Sequence, residues 1–147
     1  MKIYVATDHR GVEIEDKIVN YLNEIGMDVE RSKLKHYDTD DYTDFAFDIG
    51  KKVVSDPDSL GILICGTGIG MSIAANKVKG IRAARCIDVN DAFYSKNHNA
   101  ANILCLSTEI SIEKMFEIID TFIHTKNPKE EKHLRRVEKI INYEKGE

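Results

Sequence analysis

The chain has 147 residues, enough for one domain with a substantial core. Apolar residues make up 42% and charged residues 31%, and a net charge of -4 without a long basic run argues against a nucleic-acid-binding protein. No apolar run approaches the ~20 residues of a membrane span, and we expect no signal peptide. Three cysteines without a C-x-x-C pair are typical of the reducing cytoplasm rather than of a disulfide framework or zinc site.

The first half of the chain predicts two strands and two helices. Residues 2–7 are apolar and β-branched, which indicates a strand that ends at Asp8 and His9. A helical stripe over residues 12–25 stops at Gly26, a residue type favoured just past a helix end. The elements that follow are a short strand at 27–30, a polar loop at 31–41 and a helix at 42–54.

The middle of the chain holds its most informative stretch. Residues 61–64 are almost fully apolar, as expected for a strand buried on both faces. Cys65 follows, then three glycines within residues 66–70, then a helix predicted at 71–76. Such a turn aims backbone N–H groups at an anion and favours the thiolate form of a neighbouring cysteine. The stretch therefore predicts an anion site with its own base or nucleophile; a purely structural tight turn is the alternative.

The remaining pattern completes an α/β fold. The predicted elements are a strand at 81–87, a helix at 89–97, a strand at 103–106 and helices at 112–123 and 130–143. Five strands alternating with helices predict a parallel sheet in one domain spanning 1–147, and we favour the doubly wound order 2-1-3-4-5. In this order, ligands bind at the carboxyl ends of strands one and three. The last helix lies beyond the five-stranded unit, and we expect it to pack on a partner subunit.

Residues suited to chemistry lie beside the predicted strand ends. Asp8 and His9 follow strand one, Cys65 follows strand three, and we expect His98, at another strand–helix boundary, on the same edge of the sheet. An acid, a base and an anion-binding turn would then share one crevice. These residues lack metal-ligand spacing, so no metal site is predicted. The glycines are spaced G-x-G-x-G and follow strand three, which argues against a dinucleotide site.

Five motifs, in order along nearly the whole chain, resemble the ribose-5-phosphate isomerase B family, which groups with the LacA/LacB sugar-phosphate isomerases. They are Asp8-His9-x-Gly11, the run from Gly61 to Lys77, Gly80-Ile81-Arg82-Ala83, His98-Asn99-x-x-Asn102 and His133-x-x-Arg136-Val137. The resemblance implies a Rossmann-like three-layer α/β/α sandwich that forms a homodimer, or a dimer of dimers, with active sites shared across the interface. It also implies interconversion of ribose 5-phosphate and ribulose 5-phosphate without a metal or organic cofactor.

The same resemblance implies a role for each matching residue. Cys65 would be the base that moves a proton between C1 and C2, Thr67 would assist it by hydrogen bonding, and His98 of the partner subunit would open the furanose ring. The enediolate oxygens would be held by backbone N–H groups of the turn, those of Gly66, Gly68, Ile69 and Gly70. The other expected contacts to substrate are Asp8 and Tyr42 at the hydroxyls, Asn99 beside them, and His9, Lys132 and Arg136 at the phosphate.

Two positions depart from the family pattern and bear on substrate identity. Glu109 stands where many ribose-type members have a phosphate-binding arginine, and Lys132 replaces another arginine, keeping its charge but losing its bidentate geometry. A hexose 6-phosphate, of allose or galactose, is therefore an alternative substrate. LacA also has glutamate at the position of Glu109 but has lost the turn after Cys65, which is intact here. A non-catalytic sugar-phosphate-binding subunit is the second alternative.

Overall fold

A parallel sheet of five strands forms the middle layer of the computed structural model, which describes residues 1–146. The strands are β1 (Lys2–Thr7), β2 (Asp28–Arg31), β3 (Leu60–Cys65), β4 (Ala83–Arg85) and β5 (Ile103–Ser107). The predicted parallel α/β architecture is confirmed. Glu147, the last residue of the predicted domain, lies outside the described residues.

Each predicted helix is present in the described residues. The helices are α1 (Val12–Glu24), α2 (Tyr42–Ser55), α3 (Ile69–Ala75), α4 (Val89–Asn97), α5 (Ile112–His124) and α6 (Glu131–Glu144). A short 3-10 turn, His9–Gly11, precedes α1. The largest difference in boundaries is at β4, which covers three residues instead of the predicted seven. Helix α3 starts at Ile69 rather than at 71, because Gly68 already adopts the left-handed conformation that reverses the chain.

The predicted strand order is wrong for the last two strands. The observed order is β2-β1-β3-β5-β4, so β5 lies beside β3 and β4 forms the edge. The physical reason is burial: every residue of β5 is buried, whereas β4 is short, half-buried and exposed at Arg85. A strand that is apolar on both faces is typical of the interior of a parallel sheet, and a short, partly exposed strand suits an edge. Strands β1 and β3 remain adjacent, so the predicted crevice between them is retained.

Helices cover both faces of the sheet and complete three layers. On one face, α2 and α3 contribute Phe45, Ile49 and Met71 to the core. On the other face, α1, α4 and α5 pack against the sheet, with Ile18 and Phe122 fully buried. Each of these large apolar side chains stabilises the fold by roughly 1.5–3 kcal/mol through burial. The two cores hold the strand ends rigidly in place.

Helix α6 packs against the rest of the chain over a small area. Its buried side chains are His133 and Val137, while Leu134, Ile140 and Tyr143 are exposed. An amphipathic helix with exposed apolar residues is one whose second side can pack against another surface. Within residues 1–146, no helix is both long and apolar enough to cross a membrane.

Candidate active site

Polar side chains follow β1 and β3 at the carboxyl edge of the sheet, as predicted. The two strands pair in parallel up to Thr7 and Ile64, so the segments that follow them lie side by side. The carboxylate of Asp8 accepts a hydrogen bond from the N–H of Arg10 at 3.1 Å, which begins the 3-10 turn. The pairing of the strands places Asp8 next to Cys65, the last residue of β3.

The turn after Cys65 places a backbone donor at the thiol. The N–H of Gly68 lies 3.2 Å from the Sγ of Cys65, and the N–H of Ile69 donates to the hydroxyl of Thr67 at 3.2 Å. Gly68 has φ = 79°, a conformation that glycine adopts without strain. The remaining N–H groups of the turn, at positions 66, 67 and 70, have no partner among the described residues. The turn therefore offers free donors to an anion next to a thiol.

The ring of Tyr42 lies over this turn. A Cβ atom added to Gly70 would lie 2.6 Å from the Cζ of Tyr42, so glycine is required for this close approach. Tyr42 begins α2 and is 38% exposed, which leaves its face open to solvent. The structure thus places Tyr42 at the same carboxyl edge of the sheet as Cys65 and Asp8.

His9 is fixed by a carboxylate that the sequence did not single out. Asp40 accepts hydrogen bonds from the Nδ1 and the backbone N–H of His9, at 2.6 and 3.1 Å. Its second oxygen accepts from the Nδ1 of His36 at 2.9 Å and from the N–H of Tyr37 at 3.2 Å. An ionised carboxylate only accepts, so Nδ1 of His9 carries the proton and Nε2 remains available to a ligand.

The network around Asp40 also sets its charge. Its side chain is 6% exposed, and burial alone would raise the pKa of this carboxyl. The hydrogen bonds from His9, His36 and the backbone outweigh burial and hold the pKa of Asp40 well below its usual range. Asp40 therefore stays ionised and connects the loop at 32–41 to His9.

We expect Asp40→Asn to lower the free energy of unfolding by about 2 kcal/mol at pH 7, because hydrogen bonds to a charged acceptor become neutral ones. For a chain of this length, that loss lowers Tm by about 4–8 °C. The folded pKa of Asp40 is depressed, so its stabilisation is present above the unfolded value of about 4 and is lost as the pH falls through the folded value. Thermal unfolding from pH 7 down to pH 2 should show the difference from wild type shrinking below pH 4. A difference that stays constant, or an equal loss in the control Asp38→Asn, would contradict this role.

The other predicted site residues lie at the opposite, amino edge of the sheet. His98 directly follows α4, and Asn99 comes next in the segment that leads to β5. Asn102 accepts a hydrogen bond from the N–H of Gly61, near the start of β3, which fixes this segment at the amino edge. The expectation that His98 shares an edge with His9 is wrong, because α4 carries the chain back across the sheet between two parallel strands. With six residues in β3, the two edges are roughly 20 Å apart.

A cluster of basic side chains forms around His98. The rings of His98 and His133 stack with their centroids 3.9 Å apart. Lys132 and Arg136 flank His133 on α6 and are exposed. Burial, together with the neighbouring His98, Lys132 and Arg136, lowers the pKa of His133, although Glu130 opposes this. Basic groups gathered in this way suit an anionic ligand.

Exposed apolar side chains lie on the elements around β4, the edge strand of the sheet. They come from α3, the residues that precede α4, α4 itself and α6: Ile69, Ile73, Ile87, Val89, Phe93, Tyr94, Leu134 and Ile140, each at least 39% exposed. We call these eight residues the apolar surface. Exposed apolar residues that form a contiguous patch are typical of an interaction surface.

Two residues beside the site, Asp40 and Arg85, were not predicted from the sequence. Asp40 lies in an acidic loop, and nothing in the pattern separates it from its neighbour Asp41. Arg85 ends β4, and its Nε donates to the carbonyl oxygen of Thr67 at 2.8 Å. The predicted strand ran on to residue 87 and so placed Arg85 inside a strand. A shorter strand would have placed it at the carboxyl edge.

Glu109 lies close to the same turn. Its N–H donates to the hydroxyl of Ser107 at 3.0 Å, and that hydroxyl donates to the carbonyl oxygen of Gly66 at 2.7 Å. An acidic side chain therefore follows β5 at the carboxyl edge, near the donors of the turn.

Comparison with known proteins shows the family of the chain. A family model described as Ribose/Galactose Isomerase matches residues 3–140. A relative from Mycoplasma pneumoniae, named probable ribose-5-phosphate isomerase B, is 40% identical over 145 residues, covering 97% of this chain and 95% of the relative. The structure of type B ribose 5-phosphate isomerase from Trypanosoma cruzi matches with a TM-score of 0.93 and 39% identity over 100% of both chains. That of ribose-5-phosphate isomerase B from Mycoplasma genitalium, with bound ribulose-5-phosphate, matches with a TM-score of 0.91 and 39% identity, over 98% of this chain and 96% of the other. The chain belongs to the ribose/galactose isomerase family.

Proposed function

We propose that the protein is an aldose–ketose isomerase that interconverts ribose 5-phosphate and ribulose 5-phosphate through a cis-enediolate. The observation that carries this proposal is the thiol of Cys65, 3.2 Å from the N–H of Gly68 in a turn with further unpaired donors. The named activities of the relatives, including the one solved with ribulose-5-phosphate, support the same reaction.

The reaction needs a base beside an anion hole, and the turn has the groups for both. Cys65, as thiolate, removes the proton from C2 of the open-chain aldose and returns it to C1, while the hydroxyl proton of O2 moves to O1. Negative charge develops on the substrate oxygens, where the N–H groups of Gly66, Thr67 and Gly70 can donate hydrogen bonds. A positioned base accelerates such a step by about 10²–10⁴-fold, and an oxyanion donor by about 10²–10³-fold. Burial raises the pKa of Cys86 to about 12, so this thiol stays protonated and is no competing base.

Further contacts to the sugar come from residues at the same carboxyl edge of the sheet. Asp8 and Tyr42 bind sugar hydroxyls on either side of the turn, and Thr67 assists Cys65 through its hydroxyl. The Nε2 of His9 binds the phosphate, since its Nδ1 is held by Asp40. Together these contacts would orient C1 and C2 at the thiol.

A second copy of the chain completes the site. His98, Asn99, Lys132 and Arg136 lie at the amino edge, roughly 20 Å from Cys65 along β3, too far to reach the same small sugar. A homodimer, alone or paired into a tetramer, would bring the two groups of residues together if each protomer places its amino-edge cluster over the partner's turn. The apolar surface, which includes residues of α6, is the surface that we propose two copies bury. His98 then opens the furanose ring by proton transfer, and Lys132 and Arg136 bind phosphate.

A hexose 6-phosphate is the second candidate substrate, and Glu109 is the observation that favours it. A carboxylate near the turn repels a phosphate placed close by, so a longer sugar that carries its phosphate further away would be tolerated better.

Steady-state assays of the purified homodimer with ribose 5-, allose 6- and galactose 6-phosphate test this proposal. We expect kcat/KM for ribose 5-phosphate to exceed both hexose values by about tenfold or more, since one added carbon alone changes discrimination by about 10–200-fold. A preference for either hexose phosphate would support the second candidate instead. Binding of all three without turnover would point to a non-catalytic subunit.

We also propose that the protein works in the cytoplasm. Cys65, Cys86 and Cys105 are free thiols in the structure, and all three are buried. Free thiols, one of them used as a base, suit a reducing compartment.

A further inference from the structure

We propose that Arg85 is a positioning residue that favours the thiolate form of Cys65 through the peptide bond between them. The Nε of Arg85 donates to the carbonyl oxygen of Thr67 at 2.8 Å. The N–H of the next residue, Gly68, lies 3.2 Å from the Sγ of Cys65. Both hydrogen bonds share the Thr67–Gly68 peptide, so the cation and the thiol lie at its two ends. The inference rests on the proposed function, in which Cys65 is the base.

The peptide can transmit this effect because its carbonyl and N–H groups share one resonance system. A guanidinium is charged at all working pH values, and its hydrogen bond to a carbonyl is stronger than a neutral one. The bond draws electron density toward the oxygen of Thr67 and makes the N–H of Gly68 a better donor, as in hydrogen-bonded chains. A better donor stabilises a thiolate more than a thiol.

The fold holds this arrangement in place. Arg85 pairs in register with Cys105 of β5, which fixes the end of β4 at the carboxyl edge. A Cβ atom at Gly68 would lie 3.4 Å from the Cγ of Arg85, so the side chain packs along the turn. The N–H of Gly68 faces the sulfur, and the left-handed conformation of Gly68, with φ = 79°, turns the following chain into α3.

Other charges near the site do not replace Arg85. In the described part of the chain its guanidinium makes no ion pair, although Asp91 lines the same groove. The thiol of Cys105 is neutral because burial raises its pKa well above the usual range. The ionisable groups that end or follow the strands around the thiol are Asp8, His9, Arg85 and Glu109, with Cys105 inside β5. Of these, Arg85 is the cation that hydrogen-bonds to the turn.

The test is the pH dependence of alkylation of Cys65 by iodoacetamide, followed by mass spectrometry of the peptide that contains it. In Arg85→Gln we expect the midpoint to rise by about half a pH unit, which corresponds to about threefold less thiolate below the midpoint. The value of kcat/KM at acidic pH should fall by about the same factor. Arg85→Lys keeps the charge without the guanidinium geometry and should give a smaller rise. Arg10→Gln, which removes an exposed charge at the same edge, should leave the midpoint unchanged.

An unchanged midpoint in folded Arg85→Gln would overturn the proposal, and so would an equal rise in Arg10→Gln, which would indicate a general effect of charge. Circular dichroism and size-exclusion chromatography establish folding and oligomeric state. If Arg85→Gln does not fold, Arg85→Lys decides the question, since an unchanged midpoint there would overturn the proposal. Alkylation needs no turnover, so a shifted midpoint in a protein inactive on sugar phosphates would refute the proposed function and leave the role of Arg85 intact.

Discussion

Cys65→Ala is expected to lower kcat for ribose 5-phosphate by about 10³-fold, because a positioned base contributes about 10²–10⁴-fold to such a step. The thiol is 5% exposed and ends β3, and alanine fits the same strand position without disturbing the sheet. The groups proposed to bind phosphate and hydroxyls are untouched. Substrate affinity, measured by isothermal titration calorimetry, should therefore change by less than about threefold while turnover is lost.

The matched control is Cys86→Ala. Cys86 is buried to a similar degree, with 1% exposure, but it follows β4 rather than β3, and burial raises its pKa to about 12. Its removal should leave kcat within about twofold of wild type, at a cost in stability typical of a small cavity in the core. Turnover in Cys65→Ala within tenfold of wild type would show that another group is the base.

The strand and turn around Cys65 were predictable because their signal is local. Residues 61–64 are apolar without interruption, and the glycines after Cys65 mark a turn of unusual geometry. The adjacency of β1 and β3 followed from the general topology of doubly wound sheets, and the observed pairing agrees.

The order of the last two strands was not predictable from periodicity alone. Both segments are apolar, and what separates them is how much of each is covered by helices and neighbouring strands. The full burial of Leu104 and Leu106 explains why β5 is central, but burial is a property of the folded chain. A sequence pattern reports which residues are apolar and not which edge they occupy.

The placement of His98 shows a second limit of prediction from the sequence. A residue between a helix and a strand lies at the amino edge, whereas a residue between a strand and a helix lies at the carboxyl edge, and the sequence analysis did not separate the two. Asp40 shows a third limit, since its four hydrogen bonds depend on a loop that brings it to His9 across 31 residues of chain. Such contacts are tertiary and produce no periodic pattern in the sequence.

The second large effect that we expect is recovery of activity in a mixture of two impaired variants. Cys65→Ala removes the proposed base, and His98→Asn removes the proposed ring-opening group, which should slow ribose 5-phosphate by about 10²-fold. The two residues lie at opposite edges of one chain, so each site would take Cys65 from one protomer and His98 from its partner. A heterodimer then has one site with both substitutions and one site with neither.

The size of the recovery follows from symmetry. When equal amounts of the two chains are unfolded and refolded together, half of the dimers are mixed, and one of the two sites in each is intact, which gives about a quarter of wild-type activity. Mixing Cys65→Ala with Thr67→Ala is the matched control. These two residues belong to the same turn, so every site in that mixed dimer carries one substitution and activity should not exceed the mean of the two variants alone.

The rate of ribulose 5-phosphate formation by the refolded mixture of Cys65→Ala and His98→Asn therefore tests the whole account in one measurement. We predict about a quarter of the wild-type rate, whereas the mixture of Cys65→Ala and Thr67→Ala should not exceed the mean rate of those two variants. A rate no higher than that of either variant alone, with mixed dimers shown to be present, would contradict an isomerase site built from Cys65 of one chain and His98 of another.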